Sequence, residues 1–366
     1  MRPERVVAFA PGRVSLLGEH TDYNDGLSLP CSIAAGVTVT AERIEAGGAD
    51  RRIEVRALDV GEADEFSLDE PAATDGWRAF ARGTVAELRR AGIALCPARL
   101  TIAGDVPRGA GLGSSAALGV ALSLALLRLG GAGARLEPIE IARVCARVEN
   151  DWVGARTGLL DQIASLCGTR EAALMIDFRT LAIETVPLRL DGWRLVTVDS
   201  GERHANAASA SASPSAGAAS SGYNVRRAEC ARACALLGVE SLRDAGAEAS
   251  ERLPEPLRRR VRHVRTENDR VRAGVRCLRS GDLRGLGALL NASHRSLRDD
   301  YGVSTPALEA AVGLLVHGGA AGARVIGGGF GGSVLGLMPA DAEPPAAARV
   351  VEPGPGALAC AYNPRL

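Results

Sequence analysis

Apolar and polar side chains alternate along the first sixty residues, through VVAF, VSLL, GVTVTAERI and RIEVRAL, with turn signals at Asn24-Asp25-Gly26 and Gly47-Gly48. Alternation of period two predicts strands. At Trp77 the period changes: Phe80, Ala81, Val85 and Leu88 recur at three- and four-residue spacing, which predicts an amphipathic helix ending before Gly92. A strand is predicted over LTIAG at 100–104, then a glycine-rich loop at 109–113, an apolar helix from near Ser114, and two helices carrying Glu149 and Asp161. ALMIDF and WRLVTVDS read as a pair of strands. From 205 to 222, ANAASASASPSAGAASSG has no large side chain and no charge. It buries too little to offset the entropy of ordering, and a mobile surface insertion is expected there. Helical spacing returns over Tyr223–Gly238, Leu257–Ser280, Asp282–Ser296 and Thr305–His317, and the strand-like ARVI and SVLGL flank a glycine cluster. The element types give an α+β chain, with a domain boundary expected near residue 186, between 1–185 and 186–366.

Composition narrows the chemistry. A chain of 366 residues, 46% hydrophobic and 23% charged, is long enough for two cores. All 43 cationic side chains are arginine, so Schiff-base and Walker-A lysine chemistry are excluded. Acidic residues also number 43, and without a basic excess neither nucleic acid nor an anionic membrane is an expected partner. The longest apolar run, Ala116 to Leu127, contains Ser123 and stops at Arg128, too short to span a membrane, and the N-terminus has no signal-peptide core. Eight cysteines form no C-x-x-C pair and read as reduced thiols of a cytosolic protein. Five dispersed histidines give no zinc spacing, which leaves magnesium on oxygen ligands open.

Four segments stand out. APGRVSLLGEHTDYNDG, 10 to 26, packs Arg13, Glu19, His20, Asp22 and Asp25 around three glycines just after a strand. A solvated hairpin explains the NDG turn, but not acids beside an arginine at the end of an apolar strand; such a set can read hydroxyl groups. VPRGAGLGSSAAL, 106 to 118, follows a strand and opens a helix, the context of a phosphate cradle built from backbone amides, with Ser115 free to ligate magnesium. Glu149 and Asp161 each interrupt an apolar helical pattern. They are either structural acids paired with arginines or, given a metal and a hydroxyl, a metal ligand and a general base. The fourth segment, IGGGFGGSVLGL, contains G-x-G-x-x-G from Gly327 to Gly332, but a strand rather than a helix follows. That argues against a dinucleotide fold; the glycines bring backbone close either to a substrate or to another domain.

In order, these segments resemble the galactokinase branch of the GHMP small-molecule kinases. GRVSLLGEHTDYNDG is similar to its signature, PRGAGLGSSAA to its phosphate loop and GGGFGGS to its third motif, and SGYNVRRAEC, VRHVRTENDRV and SHRSLRDDYGVSTPALE extend the resemblance over nearly the whole chain. The resemblance implies a two-domain fold, the N-terminal domain like ribosomal protein S5 and the C-terminal one ferredoxin-like, with the active site between them. It implies a catalytic pair, Arg13 and Asp161, and sugar contacts from Arg13, Glu19, His20, Asp22, Asp161 and Tyr223. Phosphate contacts fall on Gly109, Gly111, Leu112, Gly113, Ser114, Ser115 and Ala116, and magnesium on Ser115 and Glu149. The implied reaction phosphorylates the anomeric hydroxyl of galactose with ATP in the cytoplasm. Alternatives are a kinase for another aldose, N-acetylgalactosamine or a uronic acid, or a sensor that binds galactose and ATP without turnover; the intact SSAA, Arg13 and Asp161 argue against the sensor. Ser15, Gly113, Thr157 and Ser333 depart from the usual residues, and after Met338 the chain is shortened, with Pro and Ala where the family has another helix.

Overall fold

The computed structural model describes residues 3–45, 51–107, 109–131, 136–202 and 222–361. The Gly47-Gly48 turn lies outside the described residues, as does the insertion expected at 205–222 except for Gly222, which opens a helix.

Strand β1 (Arg5–Leu17) turns through the acidic segment into β2 (Leu27–Arg43), its antiparallel partner. From β2 the sheet continues to β5 (Ala98–Gly104), then to β3 (Arg52–Ala57) and β4 (Glu62–Ser67), and β12 (Leu358–Ala361) returns from the far end of the sequence to flank β1. The β3–β5 pairing is parallel. β6 (Ala172–Asp177) extends β2 at its N-terminal end and carries β7 (Ala182–Pro187). A second, antiparallel sheet runs β11 (Ala348–Val351), β8 (Trp193–Asp199), β10 (Ser333–Pro339), β9 (Gly322–Val325).

ALMIDF and WRLVTVDS therefore do not pair with each other. The first is β6, bound to β2 and β7, and the second is β8, between β11 and β10. The intervening β7 was invisible because only Val186 among its six residues is buried, so no alternation survives to mark it.

Helices α1 (Gly76–Arg90), α2 (Ser114–Leu129) and α3 (Pro138–Arg147) form a core with the first sheet, including Phe80, Leu88, Leu122 and Leu126 with Val39 and Leu100. α2 buries most of its surface, as its apolar composition requires. α4 (Leu160–Cys167) also packs on β1. Beyond β8 come α5 (Gly222–Leu237), α6 (Leu257–Ser280), α7 (Leu283–Ser296) and α8 (Pro306–His317).

One apolar cluster joins the two sheets: Leu17 and Leu29 of the first meet Val271 and Val275 of α6, Leu286 of α7 and Leu335 of β10. Burial of these side chains, worth about 2 kcal/mol each, fixes the walls of the cleft between the sheets. β9 and α7 approach closely, main chain to main chain: a Cβ on Gly322 would collide with the Gly287 carbonyl. Gly322→Ala is expected to destabilise the protein by about 3 kcal/mol, read as a lower urea midpoint. An unchanged midpoint would mean that α7 slides away freely.

Candidate active site

Two register shifts interrupt the β1–β2 ladder, between Pro11 and Arg13 and between Ser15 and Leu17. Such bulges re-aim side chains. Arg13, almost fully buried, donates from Nε to Asp161 Oδ1 at 2.8 Å, and its Nη2 lies 2.6 Å from the same oxygen as an ion pair. Its Nη1 donates to the Gly111 carbonyl, and its main-chain N–H to the Leu112 carbonyl at 2.9 Å. Burial opposes the arginine charge, but Asp161, Glu19 and Asp22 outweigh it and hold the pKa above the ordinary value. The Asp161 side chain, on the first turn of α4, stays 32% exposed.

The turn between β1 and β2 supplies the next groups. Thr21 Oγ1 bonds the Gly18 and Leu27 carbonyls at 2.8 Å each and shapes the turn. Glu19 accepts from the Gly327 N–H at 2.8 Å and faces Arg324 at 3.4 Å. His20 bonds Tyr23 Oη through Nδ1 at 2.8 Å; burial keeps it neutral, with a pKa well below the ordinary value. Asp22 is pushed up to about 7 by burial and by the nearby Asp161. Asp25, by contrast, turns outward, with its side chain 47% exposed and Arg179 4.0 Å away. Tyr223, at the start of α5, stacks 5.3 Å from the His20 ring, and burial keeps its hydroxyl protonated as a donor.

The loop before α2 alternates left-handed glycines, with φ of 69° at Gly109, 75° at Gly111 and 75° at Gly113. Only glycine adopts these angles without strain, and they leave the loop amides and the first amides of α2 available to an anion. Gly109, Gly111, Gly113, Ser114 and Ser115 line the cavity. Leu112 and Ala116 do not: their side chains are buried in the protein, so any part they take falls to their main chain. A Cβ on Gly327 would lie 3.2 Å from Gly111, so the third glycine motif packs against the phosphate loop as well as holding Glu19.

Glu149 sits on a π-helical turn, Val148–Val153, a device that redirects side chains at functional sites. One of its oxygens, Oε2, accepts from Thr157 Oγ1 and, at 3.0 Å, from Gln162 Nε2. Burial pushes its carboxyl up to about 7 against those two donors. Among the described residues it has no ion-pair partner within 4.0 Å.

These groups converge on one cavity of about 320 Å³ lined by Arg13, Glu19, His20, Asp22, Ser115, Glu149, Asp161 and Tyr223, so every acidic, basic and aromatic residue implied by the resemblance meets there. Sequence reading missed the supports: Gln162 under Glu149, and Arg324 with Glu267 behind Glu19. Gln162 follows Asp161 in the helix already singled out, but Arg324 sits in an ordinary strand pattern. Among the described residues no helix is long and apolar enough to cross a membrane.

An arginine-held carboxylate beside a glycine cradle and a hydroxyl-reading turn defines a site for phosphoryl transfer to a small polyol. Sequence comparison agrees: residues 79–169 match the GHMP kinases N terminal domain, 275–356 the GHMP kinases C terminal, and 1–43 the galactokinase galactose-binding signature. A galactokinase of Streptomyces coelicolor is 41% identical over 92% of this chain and 85% of its own. One of Mycobacterium tuberculosis is 41% identical over 91% and 88%. The structure of Lactococcus lactis galactokinase complexed with galactose superimposes with a TM-score of 0.85, at 30% identity, over 97% of this chain and 95% of its own. This chain belongs to the GHMP kinase family, in its galactokinase branch.

The raised Asp22 pKa has a measurable consequence. Between its ordinary value of 3.8 and about 7 the folded protein keeps a proton at Asp22 that the unfolded chain has lost. The stability owed to this group therefore declines as pH rises through that window and is gone above it. Asp22→Asn does not titrate, so in ligand-free melts its Tm should rise relative to the native protein as pH climbs through the window, then level off. A constant difference would place Asp22 in solvent.

Proposed function

We propose that the chain transfers the γ-phosphoryl group of ATP to the anomeric hydroxyl of galactose. The observation that carries this reading is the Arg13–Asp161 pair, tied by Arg13 to the phosphate loop at Gly111 and Leu112 and set in the same cavity as the acidic turn. The galactose-binding signature over residues 1–43 and the relatives named galactokinase support the choice of sugar.

An anomeric hydroxyl is more acidic than an ordinary alcohol, so a carboxylate suffices as base. Asp161 accepts that proton. Arg13 takes up Oδ1 and stabilises charge on the phosphoryl group in flight. Glu19 and Asp22 accept from ring hydroxyls, the Tyr223 hydroxyl donates, and neutral His20 bonds either way. Amides of the 109–113 loop and the start of α2 hold the phosphates.

A magnesium ion suits the donors present. Ser115 and Glu149 offer hard oxygens to the cavity, and a buried carboxylate with no ion-pair partner within 4.0 Å among the described residues is relieved by a cation. Bound there with the nucleotide, it would neutralise phosphate charge. Eight free cysteines and the use of ATP support a cytoplasmic location. We also retain a division near residue 186, in the connection between β7, which ends at Pro187 in the first sheet, and β8, which opens at Trp193 in the second, although β12 crosses back.

ADP release over a panel of aldoses tests the reading, with galactose expected to be turned over fastest. Galactose binding without turnover of any sugar would replace the kinase with a sensor. Asp161→Asn should lower kcat by roughly 10²- to 10⁴-fold with a modest change in galactose KM; near-normal turnover would reduce Asp161 to a positioning group. Glu149→Gln should raise the magnesium concentration for half-maximal rate far more than the galactose KM, and an unchanged titration would make Glu149 structural.

A further inference from the structure

Arg324 is the largest fully buried side chain among the described residues, and nothing in the mechanism above uses it. It belongs to β9 in the second sheet, yet it reaches the first: Nη1 donates to the Leu16 carbonyl of β1 at 2.9 Å, while Nε donates to the Val325 carbonyl at 3.0 Å. Nη2 faces Glu19 Oε1 at 3.4 Å, and Nη1 lies 3.8 Å from Glu267 Oε1. A guanidinium this far from water costs several kcal/mol unless anions compensate it. Both compensating carboxylates are themselves buried.

The second carboxylate is anchored separately. Glu267, on α6, accepts from the Gly18 N–H at 2.8 Å, from Ser293 Oγ at 2.7 Å and from Arg270 Nε at 2.6 Å. It thus grips the residue immediately before Glu19. Glu19 in turn accepts through Oε1 from the Gly327 N–H, and Arg324 Nη2, buried and without a hydrogen-bond partner, faces the same oxygen as an ion pair at 3.4 Å. Glu19 lines the cavity, and with Oε1 engaged its second oxygen, Oε2, is left for a ligand there.

We propose that Arg324 is a positioning residue for sugar recognition: seated on Leu16 and Glu267, it holds the Glu19 carboxylate with one oxygen turned toward the hexose while touching no substrate itself. The inference rests on the reading of Glu19 as a sugar ligand. It deepens that reading, because it makes galactose affinity depend on a charge in the other sheet.

A double-mutant cycle of Glu19→Gln and Arg324→Met in the full-length protein tests this, with galactose and ATP varied separately. Arg324→Met alone should lower kcat/KM for galactose by roughly 10- to 100-fold, mostly through KM, with the KM for ATP within about twofold of native. In the Glu19→Gln background, where no carboxylate remains to be held, the same change should cost less than about threefold. The double variant should also melt above Arg324→Met, because it buries neither charge alone. If Arg324→Met does not fold, Arg324→Lys carries the same cycle, since a compact ammonium cannot reach the Leu16 and Val325 carbonyls and Glu19 together. Losses that multiply in the double variant, or a parallel rise in the KM for ATP, would overturn the proposal and make Arg324 a fold residue. Should Glu19→Gln alone leave galactose kinetics unchanged, the reading of Glu19 as a sugar ligand would fail, and the proposal with it.

Discussion

The contacts of Arg13 are the constraint on which the site depends. Its main-chain N–H and its guanidinium hold the phosphate loop at Leu112 and Gly111, and the same guanidinium fixes Asp161. Strand β1, the loop before α2 and the first turn of α4 therefore meet at one side chain. Breaking a buried ion pair costs about 3–5 kcal/mol, and here the lower end applies because Asp161 is a third exposed. On the proposed reading that partial exposure also suits Asp161 to a base's task, which is to meet a hydroxyl that arrives from solvent. Stability and chemistry draw on a single contact.

The cavity holds more acid than base. Glu19, Asp22, Glu149 and Asp161 line it, against Arg13 and Arg156 among the lining residues and Arg324 behind. Burial pushes Asp22 and Glu149 up to about 7, so the ligand-free protein holds these carboxyls in surroundings that disfavour their charge. On the proposed reading, hydroxyl donors and a cation would offset that penalty on binding. A polyphosphate entering such a field is repelled unless its charge is neutralised. With no lysine in the chain, the loop amides and the lining arginines Arg13 and Arg156 are what the cavity itself offers, and on the proposed reading a metal on oxygen ligands would add to them.

What could be read from the sequence was local. The amphipathic spacing from Phe80 to Leu88, the glycines at 109–113 and the acidic turn after β1 each announce themselves within about fifteen residues, and each was found where expected. β7 and β12 escaped because a strand with one buried side chain, or with none fully buried, carries no periodicity. The π-helical turn under Glu149 escaped because one extra residue in a helix leaves the apolar spacing almost unchanged. Arg324 escaped for a deeper reason: all four residues of β9 are buried, whereas alternation assigns a charged residue to the solvent face. Only Glu19 and Glu267, more than fifty residues away, make its burial tolerable.

The glycines show how the site obtains its precision without long side chains. A Cβ on Gly12 would stand 2.6 Å from the Leu112 carbonyl oxygen, and one on Gly158 would collide with the Asp22 carboxylate. Together with Gly327 against Gly111, these contacts pack main chain on main chain or on a short acid around the cavity. Backbone held this way has few alternative positions, whereas a lysine or arginine tip reaching the same point carries about 2 kcal/mol of rotamer entropy. Arg13, which touches both Asp161 and the glycine loop, is itself held at three nitrogens and at its own amide, which removes that freedom before any ligand arrives. The geometry needed for transfer is thus set by β1 and the glycine loops during folding, and substrate binding has little of it left to impose.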